Sequence, residues 1–354
     1  MDLDNLEKIK ELDKGKMIAS IESLANQCAE TFNDLKAVSF PRNYSKVKNI
    51  VVAGMGGSAL GAHIIDSLFA GELKIPLEIV NDYHLPHYTC KNSLVILSSY
   101  SGSTEETISC MKETKSAGAK IIVITSGNAL ADFKKKEKAP GYLFTPHFNP
   151  CDSPRMGLGY TLFGLMLIFG KLGLITFRDT EAVKAIKTIK KYDRVFNSSI
   201  GLANNKAKQL AERLFQKIPF FFSTGHLAGS IHTFANQINE NAKVFAGWFL
   251  FPEINHHLME GLSFPKLGKE NLSFVFFESD SDSPKLSKRF ILTQEAVKKA
   301  GVAVMSYKLE EKTALGQAFE ILVLGSYTGF YLALLYGIDP TPIHNVDWFK
   351  EMLK

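Results

Sequence analysis

Short apolar runs alternate with segments of helical periodicity along most of the chain. Residues 1–40 repeat apolar side chains at helical spacing, as in Leu6, Ile9 and Leu12, which predicts helices. From residue 49 onwards, continuous apolar runs predict buried strands. These predicted strands are Asn49–Ala53, Leu77–Val80, Ser93–Ser98 and Lys120–Thr125 in the first half, and Ile218–Ser223, Leu272–Glu278 and 302–305 in the second.

The alternation of strands and helices predicts an α/β fold whose parallel strands are covered on both faces. Right-handed crossovers then give doubly wound sheets. The second half repeats the plan of the first, since the segment beginning at Leu94 aligns with the one beginning at Phe274. We therefore predict an internal duplication into two parallel-sheet domains. The first covers residues 1–165 and includes a helical N-terminal extension, and the second covers residues 166–354.

One segment is apolar enough to raise the question of a membrane. Residues 321–338 carry no charge and reach the lower length limit for a spanning helix. They contain three glycines and end at Asp339 and Pro340, which favours a buried helix, so no membrane association is expected. The N-terminus is acidic and polar and is not typical of a signal peptide. A cytoplasmic location is therefore expected.

Composition narrows the possible partners. The 354 residues include 41 Lys and Arg against 36 Asp and Glu, which gives a net charge of +5. This excess is too diffuse to indicate nucleic-acid binding, but it suits a small anion bound locally. The four cysteines lie far apart with no C-x-x-C pair. Neither a disulfide framework nor a zinc ribbon is indicated, and buried thiols are expected.

A glycine-rich turn follows the first predicted strand, from Gly54 to Gly61. Such a turn lies at the carboxyl edge of a parallel sheet, where ligands bind. Its glycines let the backbone approach a ligand, the helix behind it favours phosphate, and Ser58 adds a hydroxyl. A dinucleotide site is the alternative, because Gly54 and Gly56 fit the permissive fingerprint and Asp82 is spaced to bind a ribose.

A second polar turn follows the third predicted strand and opens the next helix. Ser99, Ser101 and Thr104 can each donate a hydroxyl hydrogen bond, and Gly102 opens the backbone. Turns after the first and third strands would converge on one phosphate with many neutral donors. A dinucleotide fold does not need this second cluster, so the pair of turns favours a phosphate ester.

Three further segments carry residues suited to catalysis. Arg155 follows a prolyl turn and would present a fixed cation to an oxyanion. Glu240 sits among amides and apolar residues, where partial burial would raise its pKa towards that of a useful base. His256 and His257, with Glu260 nearby, are residue types that could bind a metal ion. No third ligand cluster accompanies them, so acid–base use of one histidine is favoured and no metal is expected.

Six short motifs in one order resemble the bifunctional phosphoglucose/phosphomannose isomerase family, whose members have two sugar-isomerase (SIS) domains. The resemblance covers nearly the whole chain from about residue 45. The motifs begin at Gly54, Ser99, Ser153, Asn239, Pro252 and Asp339. It implies an aldose–ketose isomerase that converts glucose 6-phosphate, and also mannose 6-phosphate, into fructose 6-phosphate through a cis-enediol(ate). It implies no cofactor, and a homodimer whose sites are completed by the partner subunit.

The resemblance also implies a role for individual residues. The sugar phosphate would be bound by Gly57, Ser58, Ser99, Ser101 and Thr104. Arg155 would stabilise the enediolate, and Glu240 would move a proton between C1 and C2. His256, from the partner subunit, would assist ring opening, although His257 stands where the family usually has Asn and is the alternative. A C-terminal lysine would also serve the site, with Lys350 the better match and Lys354 the alternative.

Two other functions remain open at this point. A non-catalytic SIS domain that senses a sugar phosphate would use the same turns, but it would not need Glu240, Arg155 or His256. An NAD-dependent oxidoreductase would use Gly54, Gly56 and Asp82. Isomerisation explains all of the candidate residues together, because it needs a carboxylate base, a ring-opening group and a fixed cation.

Overall fold

The computed structural model describes residues 1–353, and their contacts group them into two compact units. The first unit contains residues 23–190 and 226–229, and the second contains residues 1–22, 191–225 and 230–353. The domain boundary predicted between residues 165 and 166 falls inside the helix Leu158–Lys171. It concerns the duplicated domains rather than these units, and it stays a prediction.

The first unit is built on a five-stranded parallel sheet with the order β2-β1-β3-β4-β5. Its strands are β1 (Asn49–Ala53), β2 (Leu77–Val80), β3 (Ser93–Ser98), β4 (Lys120–Thr125) and β5 (Gly141–Leu143). Its helices are α3 (Leu24–Lys36), α4 (Gly57–Leu68), α5 (Glu105–Ser116), α6 (Asn128–Lys136) and α7 (Leu158–Lys171). Strand β3 is buried along its whole length, as expected for a central parallel strand.

The second unit has a four-stranded parallel sheet with the order β7-β6-β8-β9. Its strands are β6 (Ile218–Ser223), β7 (Gly247–Leu250), β8 (Leu272–Glu278) and β9 (Ala303–Lys308). The helices α1 (Leu6–Leu12), α2 (Met17–Glu22), α9 (Lys206–Leu214), α11 (Leu258–Gly261), α12 (Pro284–Lys299), α13 (Ala314–Leu335) and α14 (His344–Met352) belong to it. Helices α8 (Asp179–Phe196) and α10 (Ala228–Gln237) each have residues in both units.

The core of the second unit is rich in phenylalanine. Phe222 on β6 lies 4.9 Å, between ring centroids, from Phe276 on β8 and 4.7 Å from Phe274. Phe290 of α12 stacks on Phe251 at 4.1 Å. Such aromatic pairs add to the free energy gained by burying each ring. They stabilise β6 and β8, which are the two central strands of the second sheet.

Buried charged groups fix the N-terminal segment and the β9–α13 connection of the second unit. Lys208 is fully buried, and its ammonium donates to Asp4 at 2.8 Å and to the carbonyl of Ser198 at 3.0 Å. Glu320 is also fully buried and accepts the backbone N–H of Glu310 at 3.0 Å. Burial raises the pKa of Glu320. Because buried charges are costly unless paired, the contact between Asp4 and Lys208 fixes the N-terminal segment to the rest of the second unit.

Helix α13 is long and apolar enough to cross a membrane by length and composition, and 94% of its most apolar stretch is buried inside the protein. It packs against α2, α9 and the turn that follows α10. Gly325 lets this helix approach closely, because a Cβ there would overlap the side-chain amide of Gln237. The buried helix predicted for this segment is therefore confirmed.

The cysteines differ in exposure. Cys28 and Cys110 are buried, Cys151 is half-buried and Cys90 is exposed. Burial raises the pKa of the Cys110 thiol to about 11, so this thiol stays protonated near neutral pH. The expectation of buried thiols is right for Cys28 and Cys110 and wrong for Cys90, which is exposed in the polar connection before β3.

Candidate active site

The glycine-rich turn after β1 packs closely on two other segments of the first unit. A Cβ at Gly54 would lie 2.7 Å from the carbonyl oxygen of Ser98. A Cβ at Gly57 would lie 3.1 Å from the Cα of Arg155. Gly56 has a φ of +48°, which favours glycine. The turn therefore brings the start of α4 against the end of β3 and the backbone of Arg155.

Ser58 joins the turns after β1 and β3. Its side chain is buried in the first turn of α4, and its Oγ accepts the backbone N–H of Tyr100 at 2.9 Å. In return, the Ser98 hydroxyl donates to the carbonyl of Ser58 at 2.8 Å. These two bonds fix one turn against the other, as the sequence predicted for turns that meet at one sheet edge.

The turn after β3 is organised around the hydroxyl of Ser99. This side chain is fully buried, its Oγ lies 2.7 Å from Oγ1 of Thr104, and it accepts the N–H of Gly102 at 3.0 Å. Ser101 is partly exposed, and its Oγ accepts from the Ser103 hydroxyl at 3.1 Å. Thr104 is the N-terminal cap of α5, so these hydroxyls surround a helix N-terminus, where an anion is favoured.

Arg155 lies in the short 3-10 turn Pro154–Met156 and is only 7% exposed. Asn149 holds the turn by donating to the Ser153 carbonyl at 3.0 Å and to the Tyr100 hydroxyl at 2.8 Å. A guanidinium remains charged at any relevant pH and presents fixed donors. The first unit thus brings together Arg155 and all five predicted phosphate-binding residues.

Glu240 lies in a π-helical turn, Ile238–Ala242, directly after α10. Asn239 closes this turn, since its amide nitrogen donates to the carbonyls of Ala235 at 2.8 Å and Ala246 at 2.9 Å. Upstream, the amide of Gln237 donates to the Ser326 hydroxyl of α13 at 2.8 Å. Single π-helical turns often occur at functional sites, and Glu240 itself is half-buried.

The candidate histidines follow β7 in the second unit. His256 ends the 3-10 turn Glu253–His256, and both His256 and His257 are exposed. Their turn is anchored by buried Ile254 and by Asn255, whose amide donates to the Thr293 hydroxyl at 2.7 Å. The chain therefore presents these two imidazoles at its surface.

Lys350 is exposed on α14, which has no buried residue. Trp348 and Phe349 on the same helix are 62% and 56% exposed. The alternative lysine, Lys354, lies outside the described residues. Helix α14 thus presents both a cation and apolar side chains at the surface of the second unit.

The second unit has its own pair of turns after β6 and β8, but these close on a carboxylate of the same chain. Asp282 accepts the Thr224 hydroxyl at 2.8 Å and the backbone N–H of Ser279 at 3.3 Å. The Ser279 hydroxyl also donates to the amide oxygen of Gln317 at 2.9 Å. In these turns a negatively charged carboxylate already accepts the donors, whereas the turns of the first unit are joined through neutral hydroxyls, which favours the first unit as the phosphate site.

The surroundings of Asp82 do not support the dinucleotide alternative. Asp82, assigned to a ribose in the dinucleotide alternative, is exposed and accepts the backbone N–H of its neighbour Tyr83 at 2.6 Å. Sequence reasoning did not identify Asn149 or Tyr100 as supports of the Arg155 turn, although both adjoin predicted motifs. Within residues 1–353, no group of three His, Cys, Asp or Glu side chains is arranged to hold a metal ion.

Comparisons with known proteins agree along almost the whole chain. Residues 43–136 match the SIS domain, and residues 203–353 match the bacterial phospho-glucose isomerase C-terminal SIS domain. A bifunctional phosphoglucose/phosphomannose isomerase from Caldicellulosiruptor bescii is 31% identical over 341 residues, which cover 95% of this chain and 98% of the relative. One of the same name from Aquifex aeolicus is 29% identical over 91% of this chain and 96% of its own length.

Solved structures share the fold at low sequence identity. A hypothetical protein from Thermus thermophilus has a TM-score of 0.70 and 16% identity, covering 99% of this chain and 92% of its own. A glucose-6-phosphate isomerase like protein from the same organism has a TM-score of 0.62 and 16% identity, covering 96% and 97%. The predicted arrangement of two SIS domains with parallel sheets is therefore confirmed.

Proposed function

Because this chain belongs to the bifunctional phosphoglucose/phosphomannose isomerase family, we propose how its residues carry out an aldose–ketose isomerisation. The enzyme interconverts glucose 6-phosphate, and mannose 6-phosphate, with fructose 6-phosphate. Both aldoses differ only at C2 and lose that difference in a common planar enediol. Membership of an isomerase family also sets aside the oxidoreductase and the non-catalytic sensor as readings of this chain.

The two hydroxyl-lined turns of the first unit would bind the phosphate of the substrate. The observation that supports this most directly is the bond between Ser58 and the Tyr100 N–H, which fixes both turns together. Ser99 and Thr104 add neighbouring hydroxyls at the N-terminus of α5. Gly57 and Ser101 complete the set, since neutral donors and helix N-termini suit a phosphate dianion.

Glu240 would act as the base and Arg155 as the fixed cation. In the aldose-to-ketose direction, the Glu240 carboxylate removes the proton from C2, and the electron pair forms the C1–C2 double bond of the cis-enediol(ate). Arg155 stabilises the negative charge that develops on oxygen, a contribution of several kcal/mol for a preorganised donor. The same proton returns to C1 as the enediol becomes a ketose, so no redox cofactor takes part.

His256 would open the sugar ring, and we propose that it does so in the active site of a partner subunit of a homodimer. Its exposure, with that of His257, supports this assignment because the imidazole is available to a second chain. Lys350, exposed on α14, would add a positive charge close to the bound substrate. A cytoplasmic location is part of the same proposal, since sugar phosphates are charged and do not cross membranes freely.

Direct assay of the purified protein tests the proposed reaction. With fructose 6-phosphate as substrate and EDTA present, we expect both glucose 6-phosphate and mannose 6-phosphate to form, detected by coupled dehydrogenase assays or by NMR. Transfer of deuterium from C1 of labelled fructose 6-phosphate to C2 of the product would support proton shuttling by one base. Absence of both aldoses would contradict the proposal.

Mixed dimers test whether His256 serves the partner. Glu240→Gln and His256→Ala homodimers should each be nearly inactive. In a heterodimer of the two, one site keeps both residues if they come from different chains. Random exchange of subunits should then restore about a quarter of the wild-type activity. Mixing with His257→Ala in place of His256→Ala is the control, and activity that stays at background in the first mixture would place both residues on one chain.

A further inference from the structure

Lys243 ends the turn that carries Glu240, and its backbone is in an unusual conformation. Its φ is +58° and its ψ is 29°, in the left-handed region. Such a conformation costs free energy for any residue with a Cβ, which is why glycine is the usual choice at the end of a helix. A lysine at this position therefore needs a reason beyond the backbone turn itself.

The side chain of Lys243 supplies that reason, because its ammonium folds back onto the turn. It donates to the backbone carbonyls of Glu240 at 2.8 Å and Asn241 at 3.3 Å. Carbonyls in the last turn of a helix lack partners within the helix, and a cation there also complements the helix dipole. Glycine would fit the backbone but would leave these carbonyls without the ammonium.

The same ammonium also holds a second segment, since it donates to the carbonyl of Pro340 at 2.6 Å. Pro340 lies in the connection between α13 and α14, four residues before α14 begins. Helix α14 carries Lys350, which is proposed to serve the substrate. One side chain thus ties the backbone of Glu240 to the segment that leads to the second functional residue.

The turn is also fixed from its other side, by Asn239. Lys243 is therefore one of two residues whose side chains hold Glu240 in place. The side-chain amide of Asn239 donates to the carbonyls of Ala235 and Ala246, and its Oδ1 accepts the backbone N–H of Ala246 at 3.2 Å. Those bonds do not involve Lys243. Removing the ammonium should therefore loosen the Glu240 carbonyl without unfolding the π-helical turn.

We propose that Lys243 is a positioning residue that holds the catalytic base, an inference that rests on the proposed function of Glu240. A general base must lie within hydrogen-bond reach of the proton that it removes, and displacements of about 1 Å cost about a hundredfold in rate. The phosphate-binding turns belong to the other unit. Loss of Lys243 should therefore lower kcat and leave the KM for fructose 6-phosphate nearly unchanged.

Three substitutions at this position separate the roles of backbone and ammonium. Lys243→Gly suits the left-handed backbone but removes the cation, and Lys243→Met keeps an unbranched side chain of nearly the same length without the charge. Both should lower kcat about tenfold or more, with KM within about twofold of wild type. Lys243→Arg can still donate to carbonyls and should retain more activity than Lys243→Met.

Lys138 offers a matched control. It also has a positive φ, +51°, two residues after the last residue of α6, and it is exposed. Lys138→Gly should leave kcat and KM unchanged. A kcat within twofold of wild type in both Lys243→Gly and Lys243→Met would overturn the inference, as would a fall in melting temperature with kcat of the folded enzyme unchanged. A wild-type enzyme that does not isomerise fructose 6-phosphate would instead overturn the proposed function, and this inference with it.

Discussion

Glu240→Gln should lower kcat for fructose 6-phosphate isomerisation by about a thousandfold, since a general base contributes roughly 10² to 10⁴ in rate. Glutamine has nearly the same shape as glutamate, but its amide cannot accept a proton from carbon. The π-helical turn is held by Asn239 and Lys243 through bonds that do not use the Glu240 side chain. The fold and the binding of substrate should therefore be preserved.

Two measurements distinguish this loss from a structural defect. Calorimetry should give a dissociation constant for fructose 6-phosphate within a few-fold of wild type, and the thermal melting curve should be unchanged. Exchange of the substrate C1 hydrogen with D₂O should fall along with turnover. Glu212→Gln, at an exposed position on α9, is the control and should be fully active. Near-normal turnover in Glu240→Gln would show that another group is the base.

The central strands were predictable from the sequence because their burial leaves a simple pattern. Strands β1, β3 and β4 of the first sheet, β6 and β8 of the second, and the edge strand β2 begin and end where the apolar runs do. The sequence missed β5 and β7, which are three and four residues long and each begin with glycine. Both are at sheet edges. Their apolar runs, residues 142–144 and 248–251, are only three and four residues long, and runs this short do not by themselves distinguish a strand from other buried segments.

Strand β9 shows the same limit in a milder form. It was predicted at residues 302–305 and is observed at Ala303–Lys308. The apolar run ends at Met305, but pairing with β8 continues to Lys308. Because β9 is also an edge strand, its last residues alternate between sheet and solvent and include polar side chains, which the search for continuous apolar runs excludes.

The candidate site was predictable as a set of residue types, but its geometry was not. Hydroxyls and glycines after β1 and β3 stand out in the sequence, whereas the bond from Tyr100 to Ser58 depends on two strands lying side by side. The residues of the π-helical turn at Glu240 do not differ in type from those of an ordinary α-helix, so the sequence does not reveal this turn. The pairing of Asp4 with Lys208 joins residues 204 positions apart, and no local sequence pattern predicts it.

Gly102→Ala should abolish most of the affinity for sugar phosphate. Gly102 has a φ of +73°, and an added Cβ would overlap the carbonyl oxygen of Gly127. The turn cannot move away easily, because the Gly102 N–H bonds to Ser99 and its carbonyl accepts the N–H of Leu130 at 3.1 Å. Relieving the overlap must therefore displace Ser99 and the start of α5.

The size of the effect follows from the bonds that this displacement breaks. Each hydrogen bond to a charged group contributes roughly 1.5–3 kcal/mol, so losing two of them corresponds to about a hundredfold or more in kcat/KM, at about 1.4 kcal/mol for each factor of ten. The loss should be mainly in KM, since Glu240 and its turn are unaffected. Titration with fructose 6-phosphate, with inorganic phosphate as a competing ligand, measures it.

Gly118→Ala separates the steric overlap from backbone strain. Gly118 has a similar φ of +64°, but nothing lies within 4 Å of an added Cβ. This variant should lose only the stability that a left-handed alanine costs, on the order of 1 kcal/mol, and should keep the KM of wild type. If Gly102→Ala binds fructose 6-phosphate as tightly as Gly118→Ala does, the turn after β3 does not hold the phosphate. A ligand held by that turn would bind less tightly once Ser99 is displaced.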